Sequence, residues 1–340
     1  MRPQIGLIAL AIVGNVLWRR RKPYRLRGKN VVITGGGRGL GLQLAREAAA
    51  RGARLGLCAR HEDELALAHA ELAASGATVA TAVVDLRDAA STESAFENLR
   101  ARLGEIDALF NVAGIIGVGP IEALTFEDFE DSMATNFFGA LRATAAVLPA
   151  MRARRDGAIV NITSLGAKIA IPHMLPYCAS KFALLGFSIG LHAEVTRDRI
   201  RVTTVIPGLM RTGSPPQATF VGQAEKEYAM FAASDATPLT STSVARAARQ
   251  IVDACERGRE RHTITWQARL AIFFEGLAPS LVSRVMTLSG YALPDGGDEP
   301  QRRTGAQSES AFTRSPLFAM ARKATLAQHE DVHPAMTPAT

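Results

Sequence analysis

Asn30-Val-Val-Ile-Thr-Gly-Gly-Gly-Arg-Gly-Leu-Gly-Leu-Gln-Leu-Ala45 is the stretch on which the fold turns. Its first five residues are a short, β-branched, apolar run, the pattern of a strand buried on both faces of a parallel sheet. Gly35-Gly36-Gly37-Arg38-Gly39-Leu40-Gly41 ends the run, and Leu42, Leu44, Ala45 and Ala48 to Ala50 resume it as a helix. Glycines there let the backbone turn tightly and approach a pyrophosphate seated on the N–H groups of the next helix. Alone, such a loop is also a flexible turn. Between a strand and a helix, at the start of a βαβ unit, it reads as a dinucleotide site.

The alternation continues outward from this loop. Strand-like runs follow at Arg54–Cys58, Thr78–Val84, Ile106–Phe110, Ala158–Thr163, Val202–Ile206 and Thr263–Trp266. Helical patterns separate them, with a long helix expected over Phe126–Met151 and another over Ser243–Cys255. The fold class is therefore α/β: a Rossmann-type, doubly wound parallel sheet of about seven strands with helices on both faces.

The end of the second strand bears on the cofactor. Sites selective for NAD place an acid there for the ribose 2′-hydroxyl. Here Ala59 and Arg60 follow, and Arg60 with Arg38 can pair with a 2′-phosphate. Glu62, Asp63 and Glu64 read instead as the acidic first turn of a helix. NADP(H) is favoured over the alternative, NAD(H).

Tyr177-Cys-Ala-Ser-Lys181 places a phenol and an ammonium four residues apart, on one face of a helix. A nearby cation lowers the pKa of an acid, and a tyrosine acting as general acid or base near neutrality needs such help. Ser164 stands thirteen residues before Tyr177, at the C-terminal end of the fifth strand. In open α/β sheets ligands bind outside that end.

The spacing Thr34-Gly35-x-x-x-Gly39-x-Gly41 resembles the cofactor loop of the short-chain dehydrogenase/reductase family in its classical form, and the resemblance covers about Lys29 to Leu288. It implies that Ser164 holds a substrate oxygen and that Tyr177 gives or takes its proton. It implies that Lys181 lowers the Tyr pKa and binds the nicotinamide ribose, and that Asn136 holds a water in a proton relay to the lysine. On the cofactor side it implies contacts from Thr34, Gly35, Arg38, Gly39, Leu40 and Gly41, and from Asp85 and Leu86 at the adenine. Asn111-Val112-Ala113-Gly114 stands for the family's Asn-Asn-Ala-Gly, with Val112 the departure, so Asn111, Ala113 and Gly114 join the set. Pro207, Gly208 and Thr212 match Pro-Gly-x-x-x-Thr, beside the nicotinamide. The expected activity is interconversion of a carbonyl and an alcohol, with a homodimer or homotetramer formed through the helices bearing Asn136 and Lys181. An NADP-sensing scaffold without turnover is the alternative from another class.

Residues 209–239 match the family's variable substrate lid. Pro215, Pro216, Phe220, Val221, Tyr228, Met230 and Phe231 suggest a mobile cover over an apolar ligand of steroid, retinoid or acyl-lipid type. Leu270–Leu288 is also apolar, broken at Pro279, and is expected to pack in the core, close the pocket or touch a membrane. The catalytic domain is placed at 28–293. From Pro294 the chain turns polar and reads as a disordered tail through Thr340.

Net charge is +7, which raises the question of nucleic acid. Residues 1–30 hold Arg2, Arg19, Arg20, Arg21, Lys22, Arg25, Arg27 and Lys29 and no acid; without these eight, 31 basic residues face 32 acids. A local basic tag is not a groove-lining field, so no nucleic-acid partner is expected. The tag closes an apolar run from Ile5 to Trp18, shorter than a membrane core requires. A signal peptide is one reading, but no small-x-small cleavage site precedes the arginines. An uncleaved anchor over residues 1–27, spanning or lying in the interface, is preferred to a packed or disordered extension. The arginines then place the catalytic domain on the cytoplasmic side; the alternative is a soluble cytoplasmic protein. Cys58, Cys178 and Cys255 are odd in number and lack metal-type spacing, so neither a disulfide framework nor a metal is expected.

Overall fold

The computed structural model of the chain describes residues 23–236, 241–297, 301–315 and 318–331. In chain order the elements begin with β1 (Asn30–Thr34), α1 (Gly39–Ala50), β2 (Arg54–Ala59), α2 (Glu62–Ala74), β3 (Val79–Val83), α3 (Ala89–Leu103) and β4 (Ala108–Asn111). Then come β5 (Gly117–Val118), α4 (Phe126–Met133), α5 (Gly139–Arg154), β6 (Gly157–Ile162), α6 (Leu175–Val195), β7 (Ile200–Ile206), β8 (Met210–Arg211) and β9 (Thr219–Gly222). The chain continues through α7 (Ala224–Ala236), β10 (Thr242–Ser243), α8 (Val244–Glu256), β11 (Arg261–Thr263), α9 (Trp266–Leu277), α10 (Pro279–Gly290), β12 (Gln301–Thr304) and α11 (Ala319–Ala327).

Seven strands form one parallel sheet in the order β11-β7-β6-β4-β1-β2-β3. All positions of β1, β4 and β6 are buried, as continuous apolar strands covered on both faces must be. One apolar layer joins Val31, Ile33, Leu44, Leu57 and Ile251; the other joins Val32, Phe96, Leu99, Leu109, Val147 and Ile159. β1 pairs with β2 on one side and β4 on the other. The winding reverses between β1 and β4, which opens a crevice above their carboxyl ends.

Several boundaries differ from the sequence expectation. The catalytic domain starts before residue 28: Tyr24 and Leu26 are core residues, and the Tyr24 hydroxyl donates to Asp107 O at 2.7 Å. This N-terminal arm is tied down at the amino-terminal edge of the sheet, the edge opposite the crevice. The apolar run 5–18 lies outside the described residues. The last strand is Arg261–Thr263, earlier than expected, because Thr265 caps α9 by accepting from Ala268 N–H at 3.3 Å. The long helix expected over Phe126–Met151 is two helices joined by a π-helical turn at Ala134–Phe138, centred on Asn136.

Two larger corrections concern the lid and the tail. β9 takes parallel β5 on one side and antiparallel β12 on the other. The apolar side chains of the lid pack on one another: Phe220 meets Tyr228 and Phe231 edge-on at 5.4 and 5.7 Å, and Val118, Met174 and Phe318 complete the cluster. The lid is thus a small packed layer with its own core, and residues 301–315 and 318–331 belong to it rather than to a disordered tail. Arg302–Asp128 at 2.7 Å and Arg303–Glu225 at 3.3 Å anchor β12. Leu270–Leu288 does not wall the crevice above the sheet, and it reaches the core only through Ile272. Helices α9 and α10, bent by 120°, leave Trp266, Phe273, Leu277, Leu281 and Leu288 exposed. Among the described residues no single helix is long and apolar enough to cross a membrane, though the two helices of this bent pair together have the length and apolar composition.

Candidate active site

The crevice above β1 and β4 holds a cavity of about 250 Å³. Its wall includes Gly35, Arg38, Gly39, Leu40 and Gly41 from the glycine loop, Arg60 from the end of β2, and Asp85 and Leu86 from the loop after β3. Ala113, Gly114, Tyr177, Lys181 and Thr212 close it from the other half of the sheet. These expected residues therefore come together from six separate segments.

The glycines are required by close approach. A Cβ at Gly41 would overlap the Gly35 carbonyl oxygen, and one at Gly35, where φ is +67°, would lie 2.9 Å from Ala113 Cα. Gly39 is also left-handed, at φ +56°. This is the tight turn into a helix N-terminus that a pyrophosphate needs.

Thr34 Oγ1 accepts from Val112 and Ala113 N–H at 3.1 and 3.3 Å, joining the ends of β1 and β4. Asn111 turns away from the cavity. Its amide donates to Asn161 Oδ1 at 2.8 Å, in a buried network that runs on to Ser188 and Thr204. Pro207 O accepts from Leu165 N–H at 2.8 Å, and Gly208 is pressed against Thr265 and Ala268. Thr34, Asn111, Pro207 and Gly208 thus shape the frame rather than the cavity wall.

Tyr177 lies in the first turn of α6, whose start is set by Pro176. Burial pushes its phenol up to about 12, against a hydrogen bond with Ser164 that lowers it. Ser164 Oγ also accepts from Gly166 N–H at 3.0 Å, which fixes it just past the end of β6. Lys181 is buried, donates to Ile162 O at 3.1 Å, and sits 5.7 Å from the centre of the Tyr177 ring. Burial lowers its ammonium to about 8. Burial dominates at both groups, drawing the phenol and the ammonium toward their neutral forms.

Asn136 uses both ends of its amide. Oδ1 accepts from Ile115 N–H at 2.8 Å; Nδ2 donates to Ile115 O at 3.1 Å and to Ser180 Oγ at 2.9 Å. A Cβ at Gly114 would stand 2.9 Å from Asn136 Oδ1 and 3.4 Å from Lys181 Nζ, so this loop, the amide and the lysine form one packed unit.

Three charged groups were missed. Arg87 grips Asp85, with Nη2 at 2.8 Å from Oδ2, and holds that carboxyl below its usual range although burial opposes it. The short motif Asp85-Leu-Arg87 could have signalled this. Glu64, read as a helix-start acid, is buried, with Arg38 Nε 3.5 Å from Oε1. Glu330 lines the cavity from the far end of the chain, and no local pattern announces it. Among the described residues no group of His, Cys, Asp and Glu could hold a metal ion.

A glycine-loop crevice walled by Tyr177 and Lys181, with Ser164 bonded to the phenol and Asn136 buried behind the Gly114–Ile115 loop, is that of a nicotinamide-dependent oxidoreductase acting between a CH–OH group and a carbonyl. The family model described as short chain dehydrogenase matches residues 29–219, and the chain belongs to that family. It is 34% identical over 292 residues to dehydrogenase/reductase SDR family member 7B of Bos taurus, covering 83% of this chain and 87% of that protein. It is 33% identical over 273 residues to the oxidoreductase SadH of Mycobacterium tuberculosis, covering 79% and 95%. Among solved structures, a gluconate 5-dehydrogenase from Burkholderia cenocepacia in complex with NADP and tartrate superposes with a TM-score of 0.64 at 27% identity, over 72% of this chain and 97% of that one. An actinorhodin polyketide ketoreductase with NADPH gives 0.62 at 28%, over 70% and 95%.

Proposed function

We propose that the chain is an NADP(H)-dependent carbonyl reductase, or alcohol dehydrogenase in the reverse direction, acting on an apolar substrate at the mouth of the crevice. The observation that carries this reading is the joint placement of Ser164, Tyr177 and Lys181 beside the glycine-loop cavity. The residues fit the cofactor: the Gly35 and Gly41 backbone makes a cradle that any Cβ would fill. Arg38 and Arg60 border the cavity where a 2′-phosphate would lie, and two of the solved relatives named above were captured with NADP or NADPH.

The reduced nicotinamide, when bound, supplies the hydride. Ser164 would donate a hydrogen bond to the substrate carbonyl oxygen. Tyr177, kept protonated by burial, would pass its proton to that oxygen as the carbonyl carbon becomes saturated. The phenolate left behind faces Lys181 and the amino end of α6, both of which favour negative charge. Asn136 would hold the Gly114–Ile115 loop against the lysine. Ile116 and Ile171, partly buried against the same apolar cluster as Tyr177, would offer an apolar wall to a steroid-, retinoid- or acyl-lipid-like carbonyl compound.

Loss of NADPH absorbance across a panel of apolar ketones tests the reading. Tyr177→Phe should lower turnover by roughly 10²-fold or more; unchanged turnover would refute the proton step. Arg60→Ala should erode preference for NADPH over NADH, and an unchanged ratio would refute the role of Arg60 at the 2′-phosphate. The apolar run 5–18 and the outward face of α9 and α10 support a membrane-associated enzyme, which recovery of the full chain in the soluble fraction without detergent would contradict. Exposed Phe138 in the turn before α5, and Phe182 and Ile189 on α6, support a homo-oligomer, read by sedimentation.

A further inference from the structure

The cavity of about 250 Å³ falls below the ordinary range for ligand pockets, because the chain itself fills part of it. We propose that segment 318–331 is a built-in competitor of the cofactor: the Glu330 carboxylate occupies the phosphate position at the amino end of α1, and the dinucleotide enters as this segment leaves. The proposal rests on the reading that the crevice binds a nicotinamide dinucleotide.

Four observations carry it. Gly39 N–H, one of the donors that a helix start offers to an anion, is already engaged with Gln328 O at 2.9 Å. Glu330 Oε1 lies so near Gly39 that a Cβ there would overlap it, so the carboxylate fills the space that glycine keeps open for a phosphate. Glu330 is only 4% exposed, and its Oε2 has no hydrogen-bond partner. Its cation, Arg38, stands 3.6 Å from Oε2 and is shared with Glu64 on the other side.

This is a poor bargain for a buried acid. Two carboxylates lean on one guanidinium, and one oxygen of each is left without a hydrogen bond. A phosphate would take the same N–H groups and the same arginine with more acceptor oxygens.

Phe318 is anchored in the lid core, and the residues after it are held by a few polar contacts that can be released together. Arg46 Nη1 donates to Ala327 O at 3.0 Å, Thr325 Oγ1 to Gly213 O at 3.2 Å, and Gln217 Nε2 to Glu330 O at 2.6 Å. Gly213 and Gln217 belong to the substrate lid. Departure of the tail therefore frees the cofactor loop and the first part of the lid in one event. Strand β12, paired along its length with β9, stays in place as the tether.

The test is an NADPH titration of the full chain, followed by fluorescence, for wild type, Glu330→Ala and Thr325→Pro. The proline breaks α11 without touching the carboxylate. A segment docked nine-tenths of the time weakens apparent affinity about tenfold, so both variants should bind roughly tenfold more tightly. Trypsin provides a second reading: NADPH should speed cleavage of wild type after Arg322 or Lys323 severalfold. Equal affinity in all three chains, or protection of Arg322 and Lys323 by NADPH, overturns the proposal. Weaker binding by Glu330→Ala overturns it too, by making the carboxylate part of the cofactor site. Binding by none of the chains overturns the cofactor reading itself and the competitor with it.

Discussion

Asn136 offers a test of how the centre is held together. Its amide makes three hydrogen bonds, to Ile115 N–H, Ile115 O and Ser180 Oγ, at a position only 1% exposed. Asn136→Ala removes all three. At about 1 kcal/mol net per bond, the loss is about 3 kcal/mol, and more if the Ile115 groups stay buried without partners. Ser180→Ala removes one of the three and also the serine's own bond to Tyr177 O at 2.7 Å, for about 1–2 kcal/mol. The double variant should fall short of the sum by about 1 kcal/mol, because the bond between the two side chains is counted twice. Urea unfolding of the four chains measures each term. Turnover should fall alongside stability, since the loop that Asn136 holds is packed against Lys181. The reasoning is refuted if Asn136→Ala unfolds within about 0.5 kcal/mol of wild type, the level of an inconsequential substitution, while turnover drops steeply. The amide would then act on the reaction directly, as a relay residue.

Further expectations follow from buried charge. The Lys181 pKa is lowered in the fold to about 8 from 10.5, so the folded chain binds fewer protons than the unfolded one between those values. The resulting penalty, about 3 kcal/mol, is complete below pH 8 and relieved as pH rises toward 10.5. Lys181→Met should therefore be inactive yet more stable by about 2–3 kcal/mol at pH 7, a gain that shrinks by pH 10 in urea melts. His173 Nδ1 lies 2.6 Å from Glu227 Oε1, linking the approach to α6 with the lid helix α7. His173→Ala leaves that carboxylate buried alone and should cost about 3 kcal/mol, with Glu227→Gln restoring most of it, as thermal melts would read. Glu330, facing Arg38 and Glu64, is raised by burial to about 7 in the docked tail, from 4.5. Docking is then strongest below about 4.5 and weakens as pH climbs to 7. The advantage of Glu330→Ala in NADPH affinity should be larger at pH 6 than at pH 8; the opposite trend would refute the protonated dock.

What the sequence discloses is whatever is encoded by neighbours. Val31, Val32 and Ile33 announce β1 because a strand covered on both faces must be apolar throughout. The Tyr177 and Lys181 pair is legible because one helical turn fixes their separation. The π turn at Asn136 was half legible: an asparagine followed by Gly139 is a poor helix interior, but its partner Ser180 lies on another helix. The lid misled because Phe220, Tyr228 and Phe231 look alike whether they face a ligand or one another. The tail was illegible for a further reason. Its order comes from main-chain pairing with β9 and from ion pairs to Asp128 and Glu225, none of which alters its polar composition. Spacing gives the proximity of Lys181 to Tyr177 but says nothing of the desolvation that both groups meet on burial.

Strand β12 also orders events in time. It is synthesised long after the glycine loop, the sheet and the Tyr177 helix, all of which can fold on the ribosome while Glu330 does not yet exist. A nascent chain therefore presents an open nucleotide cleft that the finished chain covers. A dinucleotide caught at that stage meets no rival, whereas one lost later must displace a resident carboxylate to return. The first loading and every reloading of such an enzyme would differ in rate, and dialysed protein would be slower to charge than protein freshly made.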